Sequence, residues 1–313
     1  MKKTALVAAL AAITAVPAFA QSSVTLWGRI NTTVESQKVG SQDRKVVVQN
    51  NSSRLGFKGQ EDLGGGLKAS FSLEHGLDSD TGAASGGAAA YWNRASWVQL
   101  EGSFGAVRLG KWFPGSYFAT ADYVSMHNHD TGTSADALYG TRFTTNNKVS
   151  YFTPTVAGFN AEVGVAAGEG TAPRAWDLAV NYDMGPLHAG FGYEKVGIYK
   201  QYALRGLYEL GALTFGGYYQ REEVDGFKSR NVGRLAAMYT VGQSEFHLNV
   251  GGSKAGGNGD FRFGGGKQFT AGYNYNLSKR TKVYGFYTKT DYNGSNVQSK
   301  DFNSLAVGVR HNF

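Results

Sequence analysis

From position 21 onward, apolar and polar residues alternate along the chain with a period of two, in runs of strand length separated by turn residues. Val24, Leu26 and Ile30 share one face of the first run. Leu67, Ala69, Phe71 and Leu73 share one face of a later run, and Leu305, Val307, Val309, His311 and Phe313 one face of the last. Arg, Lys, Ser, Thr, Asn, Glu and Gly fill the opposite faces. One apolar face suits a soluble sandwich or a membrane barrel, and the connectors choose between them. Short turns such as Met184-Gly185-Pro186 and Leu210-Gly211 alternate with longer polar connectors at 36–52, 77–90, 113–145, 168–174, 195–199, 223–230, 252–266 and 292–301. Tight turns on one side and long loops on the other are the asymmetry of an outer-membrane barrel. Seven turns and eight loops join sixteen strands. That even number returns both chain ends to the short-turn side and encloses an aqueous lumen. The predicted fold class is all-β, a 16-stranded antiparallel transmembrane β-barrel.

Composition agrees. Glycine supplies 44 of 313 residues, against a usual ~7 %. Proline supplies only 5, and Tyr and Phe reach 18 and 19. No apolar run long enough for a membrane helix follows the first twenty residues. Cysteine is absent, which excludes disulfides, thiol catalysis and Cys-ligated zinc. Residues 1–20 read as a cleaved signal peptide: Lys2 and Lys3 begin it, Ala5 to Val16 form its apolar stretch, and Ala18-Phe19-Ala20 closes it. The barrel is assigned to 21–313. Loss of the two lysines takes the formal net charge from +7 to +5. The basic residues are spread over many strands rather than clustered with stacking aromatics, so nucleic acid is not expected as a partner.

Several segments resemble the trimeric general porins of Gram-negative bacteria, especially the anion-preferring beta-proteobacterial type. They are Ser22-Ser23-Val24-Thr25-Leu26-Trp27-Gly28, Ser53-Arg54-Leu55-Gly56-Phe57-Lys58-Gly59, Glu61 to Ala69, Phe104 to Gly110, Leu277 to Thr281, and the closing Val307-Gly308-Val309-Arg310-His311-Asn312-Phe313. The resemblance implies passive diffusion of small hydrophilic solutes and ions across the bacterial outer membrane. It also implies a homotrimer among outer-membrane lipids and lipopolysaccharide, no cofactor, and a third extracellular loop folded inward to narrow the pore. The connector 113–145 is the candidate for that loop, with Asp122, Asp130 and Asp136 as its acidic groups. Phe313 is implied as the signal read by the outer-membrane assembly machinery.

Selectivity in a wet pore comes from rings of charge and from diameter. Strand parity places Arg29, Arg54 and Arg108 inside. Arg94 follows if Trp97 faces lipid. In the resembled family an arginine cluster lies on the wall opposite the folded loop; Arg54 and Arg94 match it, Arg142 matches loosely, and Arg29 matches a basic position of the first strand. The resulting expectation is a modest anion preference, the alternative being a channel specific for small anions such as carboxylates or phosphate. Trp27, Trp92, Trp97, Trp112 and Trp176 are assigned to an interfacial girdle. His127 and His129 form a His-x-His pair without an evident third ligand, and no histidine has a Ser/His/Asp setting, so neither a metal site nor an enzyme is expected.

Overall fold

The computed structural model describes residues 23–87, 90–126, 137–142, 146–227, 229–254, 265–293 and 301–313. The signal peptide expected at 1–20 lies outside the described residues. Seventeen β segments form one sheet: β1 (Ser23–Val39), β2 (Lys45–Asn50), β3 (Arg54–Gly64), β4 (Leu67–Gly76), β5 (Ala95–Gly102), β6 (Gly105–Lys111), β7 (Lys148–Phe152), β8 (Phe159–Ala166), β9 (Ala175–Met184), β10 (Leu187–Val196), β11 (Tyr199–Leu210), β12 (Leu213–Val224), β13 (Arg230–Val241), β14 (Ser244–Ser253), β15 (Gly265–Asn276), β16 (Thr281–Asn293) and β17 (Phe302–Asn312).

From β3 to β17 each strand pairs antiparallel with the next, and β17 returns to β1 in a register running from Arg29↔Asn312 to Val39↔Phe302. The ring is closed. The other edge of β1 is taken by two segments in succession, β2 opposite Thr32 to Gln37 and β3 opposite Ser23 to Arg29. β2 and β3 are therefore one interrupted strand, and sixteen strands surround the lumen. The first connector is shorter than the 36–52 expected, because β1 runs to Val39 and β2 occupies 45–50. Charged and amide side chains at the strand ends hid that pairing. The 195–199 connector likewise shrinks to a turn, since β10 ends at Val196 and β11 starts at Tyr199.

The turns carry the glycines their geometry demands. Gly211 and Gly242 sit at φ 60° and 57° in two-residue hairpin tips, a region closed to most side chains. The first part of β1 meets Phe313 at the short-turn side. Gly28 and Phe313 exchange both backbone hydrogen bonds at 3.1 Å, and the Phe313 ring lies where a Cβ on residue 28 would stand.

Burial is inverted relative to a soluble protein. Leu204, Leu235, Leu305 and Val307 are at least 60 % exposed on the outer face, whereas Glu35, Gln201 and Gln220 are fully buried on the inner one. In hydrocarbon no water can satisfy a backbone amide, so closure of the ring and an apolar exterior follow from one cause. Leu235→Arg, in the middle of β13, is expected to cost about 2–4 kcal/mol of barrel stability. Urea-dependent unfolding in vesicles measures this, and an unchanged midpoint would count against a lipid-facing Leu235.

Candidate functional site

The inner wall of β3 to β5 carries a compact charge group. Glu74 on β4 accepts from Arg54 Nη1 at 3.3 Å and from Arg94 Nε at 2.6 Å. Arg29 on β1 stands directly across from Arg54 in the β1–β3 register. Glu74 was not singled out in the sequence, though its alternation with Leu73 on β4 placed it on the polar face.

Arg94 reaches this group by a route other than strand parity. Trp97 is the direct cross-strand neighbour of Ser72, which is buried on the inner face, so Trp97 faces inward. Val98 and Leu100 face out, 53 % and 42 % exposed. Alternation within β5 would then send position 94 outward. Arg94 instead precedes the strand. Its backbone N–H donates to the Glu74 carbonyl at 3.2 Å, and its side chain bends back to the Glu74 carboxylate.

The assignment of all five tryptophans to a girdle is corrected as well. Trp27 shares the inner face with Gly56 and lies 5.9 Å beneath the Lys58 ammonium. Trp112 is buried and donates to Glu162 at 3.0 Å. Trp176, at 48 % exposure, does face lipid. Arg108 faces inward but is committed: both of its bonds to Gln99 Oε1 are short (2.9 and 2.6 Å), and its guanidinium stacks 4.0 Å from Trp97 and 4.6 Å from Phe152. Its charge is held by neighbours rather than offered to the lumen.

The described part of the 113–145 connector packs on polar-face residues of β7 to β13. Phe113 lies 5.1 Å beneath the Arg94 guanidinium. A short helical run follows, Gly115–Tyr117 continuing as Phe118–Asp122. The Gly115 and Ser116 amides donate to Asp177 at 2.6 and 3.1 Å. Lys148 joins that carboxylate at 3.1 Å and Glu162 at 3.6 Å. Buried charges need this mutual pairing to offset desolvation. Side chains at Gly190 and Gly192 of β10 would strike the Ala119 carbonyl and the Ser116 backbone. These two glycines let one backbone approach another.

The returning arm is held equally. Gly140 exchanges two bonds with the Gln220 side chain at 2.9 and 2.6 Å. Thr141 donates to Glu194 at 2.8 Å, and Arg230, paired with Glu222, donates to the Leu138 carbonyl at 2.7 Å. Ala121, Val124 and Leu138 cover an inner apolar patch that includes Leu207, Tyr218 and Val232. Burial pushes the Tyr139 phenol well above its ordinary range, so Tyr139 stays neutral while it bonds Thr120 at 2.9 Å.

Of the remaining site residues expected from the sequence, Asp122 is half-buried at the end of the helical run. Arg142 is not with Arg54 and Arg94. Its amide donates to Glu194 and its guanidinium lies 4.8 Å over Tyr199, on the β10–β11 side. Asp130, Asp136, His127 and His129 lie outside the described residues. Phe313 closes the β1–β17 seam as described above.

The sequence matches the family described as Gram-negative porin over residues 5–295. It is 32 % identical to outer membrane porin protein 32 of Delftia acidovorans, with both chains covered in full. It is 28 % identical to an outer membrane porin protein of Bordetella pertussis, again over the whole of both. The anion-selective porin from Comamonas acidovorans superposes with a TM-score of 0.80 at 30 % identity, covering 94 % of this chain and 100 % of that one. A trimer form of OmpT from Vibrio cholerae, at 17 % identity, shares the fold with a TM-score of 0.71 over 93 % of this chain and 99 % of its own.

Asp177→Asn is expected to weaken the anchoring of the 113–122 segment, since breaking a buried ion pair typically costs about 3–5 kcal/mol. Faster protease cleavage within 113–145 of an otherwise intact barrel is the predicted readout. Cleavage at the unaltered rate would reject this anchoring role.

Proposed function

The chain belongs to the Gram-negative porin family, and from that premise we propose that it is an outer-membrane channel for passive diffusion of small hydrophilic solutes and ions, with an anion preference set by Arg29, Arg54 and Arg94. The observation that carries the selectivity reading is the arrangement around Glu74: two guanidinium groups share one carboxylate, with a third arginine alongside. Among the described residues this group brings three guanidinium groups and one carboxylate to the inner wall. Fields of this kind are screened within ~8 Å at physiological salt, so only charges at the narrowest point act strongly on a passing ion.

The 113–145 connector is read as the element that narrows the pore. Its contacts with Asp177, Glu194 and Gln220, all on the face opposite the lipid-exposed residues, support this. So does the stacking of Phe113 on Arg94, which brings the start of the connector to the arginine wall. Arg142, Asp122, Asp130 and Asp136 are read as the charges that this connector contributes to the constriction, and Arg108 as a wall residue of structural weight. Phe313 is read as the assembly signal.

The protein is further read as a homotrimer, embedded among outer-membrane lipids and lipopolysaccharide. The outward face of β1 and β2 is aliphatic, built from Val24, Leu26, Ile30, Val34, Val46 and Val48. It lacks the exposed Tyr and Phe found on β11, β12 and β14 to β16, and suits contact with a second copy.

Zero-current potentials across a planar bilayer in a salt gradient test the selectivity reading. Arg54→Gln and Arg94→Gln are each expected to lower the anion-to-cation permeability ratio by roughly twofold or more, and Glu74→Gln to raise it, because the carboxylate no longer offsets the guanidinium groups. A cation preference in the unaltered channel, or a ratio indifferent to all three changes, would reject it.

A further inference from the structure

The interruption between β2 and β3 reverses the facing of the strand. Val34 on β1 faces out, and its direct partner Val48 and the nearby Val46 face out with it, 56 % and 74 % exposed. In β2 the even positions therefore point outward. In β3 the outward residues are Leu55 and Phe57, partners of Gly28 and of the exposed Leu26, so the odd positions point outward. Between Thr32↔Asn50 and Arg29↔Arg54, β1 contributes Ile30 and Asn31, while the facing strand contributes Asn51, Ser52 and Ser53. One extra residue makes a β-bulge. Ser52 takes φ 58°, where non-glycine residues are uncommon. Unbroken alternation from Val46 and Val48 would aim residue 54 into lipid, because a one-residue slip exchanges the faces of a strand.

Asn31 is fully buried and organises the bulge. Its carbonyl accepts from the Asn51 amide at 2.9 Å and its Nδ2 donates to the Asn51 carbonyl at 2.9 Å. Its own amide donates to the Ser53 hydroxyl at 2.9 Å, and that hydroxyl donates back to the Asn31 carbonyl at 3.2 Å. The Ser53 side chain thus replaces a ladder bond that the extra residue removes. Tyr284 on β16 donates to Asn31 Oδ1 at 2.7 Å, which fixes the orientation of the amide. Asn50 Oδ1 caps the Ser53 amide at 3.1 Å. The bulge then touches the arginine directly: Arg54 Nε donates to the Ser52 carbonyl at 3.3 Å while Nη1 meets Glu74.

We infer that this bulge, with Asn31 at its centre, positions Arg54 in the lumen and so sets the ion preference of the channel. Asn31 is a positioning residue that touches no permeating ion, and the inference rests on the reading of Arg54 given above. Two valines on the lipid face and an arginine in the water can occupy one strand only because the chain gains a residue between them.

The test compares bilayer permeability ratios of the unaltered protein with those of Arg54→Gln, Asn31→Ala, Ser52→Val, Ser52→Gly and the Arg54→Gln/Asn31→Ala double variant. Asn31→Ala is expected to lower the anion-to-cation ratio by about the same factor as Arg54→Gln, roughly twofold, with the double variant no lower than Arg54→Gln alone. Ser52→Val, which resists positive φ, is expected to follow Asn31→Ala, whereas Ser52→Gly keeps the original ratio. A second measurement separates the inference from the reading beneath it. The chain has no cysteine, so Arg54→Cys offers one thiol to a water-soluble, membrane-impermeant reagent. Rapid labelling that slows when Asn31→Ala or Ser52→Val is added supports the bulge as the positioning device. If Arg54→Gln leaves the ratio unchanged while labelling still depends on Asn31, the selectivity reading fails and the positioning role stands. Assembled, conducting Asn31→Ala and Ser52→Val channels with unaltered ratios and unaltered labelling would overturn the inference.

Discussion

Hydrocarbon offers a backbone amide nothing to bond, and every other property of this molecule is arranged around that fact. The β1–β17 seam, sealed to its last residue by the Gly28–Phe313 exchange, leaves no strand edge facing lipid among the described residues. Once the ring is closed, the two faces of the sheet meet different surroundings. The exterior must be greasy because lipid touches it, and the interior becomes the place for charge. Glu35, Glu194, Arg230 and Arg234 are almost wholly buried there, each a choice that would be costly in the core of a soluble domain.

The interior is not uniformly polar. Leu207, Tyr218 and Val232 form an inward apolar patch beneath Ala121, Val124 and Leu138 of the long connector. That patch, the charged anchor at Lys148, Asp177 and Glu162, and the bonds at Gln220 and Glu194 fasten the connector at several independent places. The wall of β3 to β5 bears Arg54, Arg94 and Glu74 instead. The cross-section is therefore asymmetric, with one sector covered by chain and another left to arginine.

Alternation made the sixteen strands legible, because lipid enforces a period of two wherever it touches the sheet. It failed where something other than lipid decided a side chain's direction. Position 94 lies just before its strand, so the parity argument used for it did not apply, and Trp97 was assigned outward when it stacks on Arg108 inside. The pairing of β2 with β1 was obscured because the bulge at Ser52 reverses the pattern midway. For carboxylates such as Glu74, Glu162 and Asp177, alternation gave the polar face and nothing about partners. Their significance comes from partners 12 to 62 residues away in sequence. The glycines at 190 and 192 looked like ordinary wall residues, and only the backbone lying against them gives them a purpose.

The order of the chain has a consequence for how the channel is built. The segment following β6 rests on β7 to β13, which come later in the polypeptide. Its seat is completed only by those strands, so the connector is fixed by chain that follows it rather than by its own neighbours in sequence.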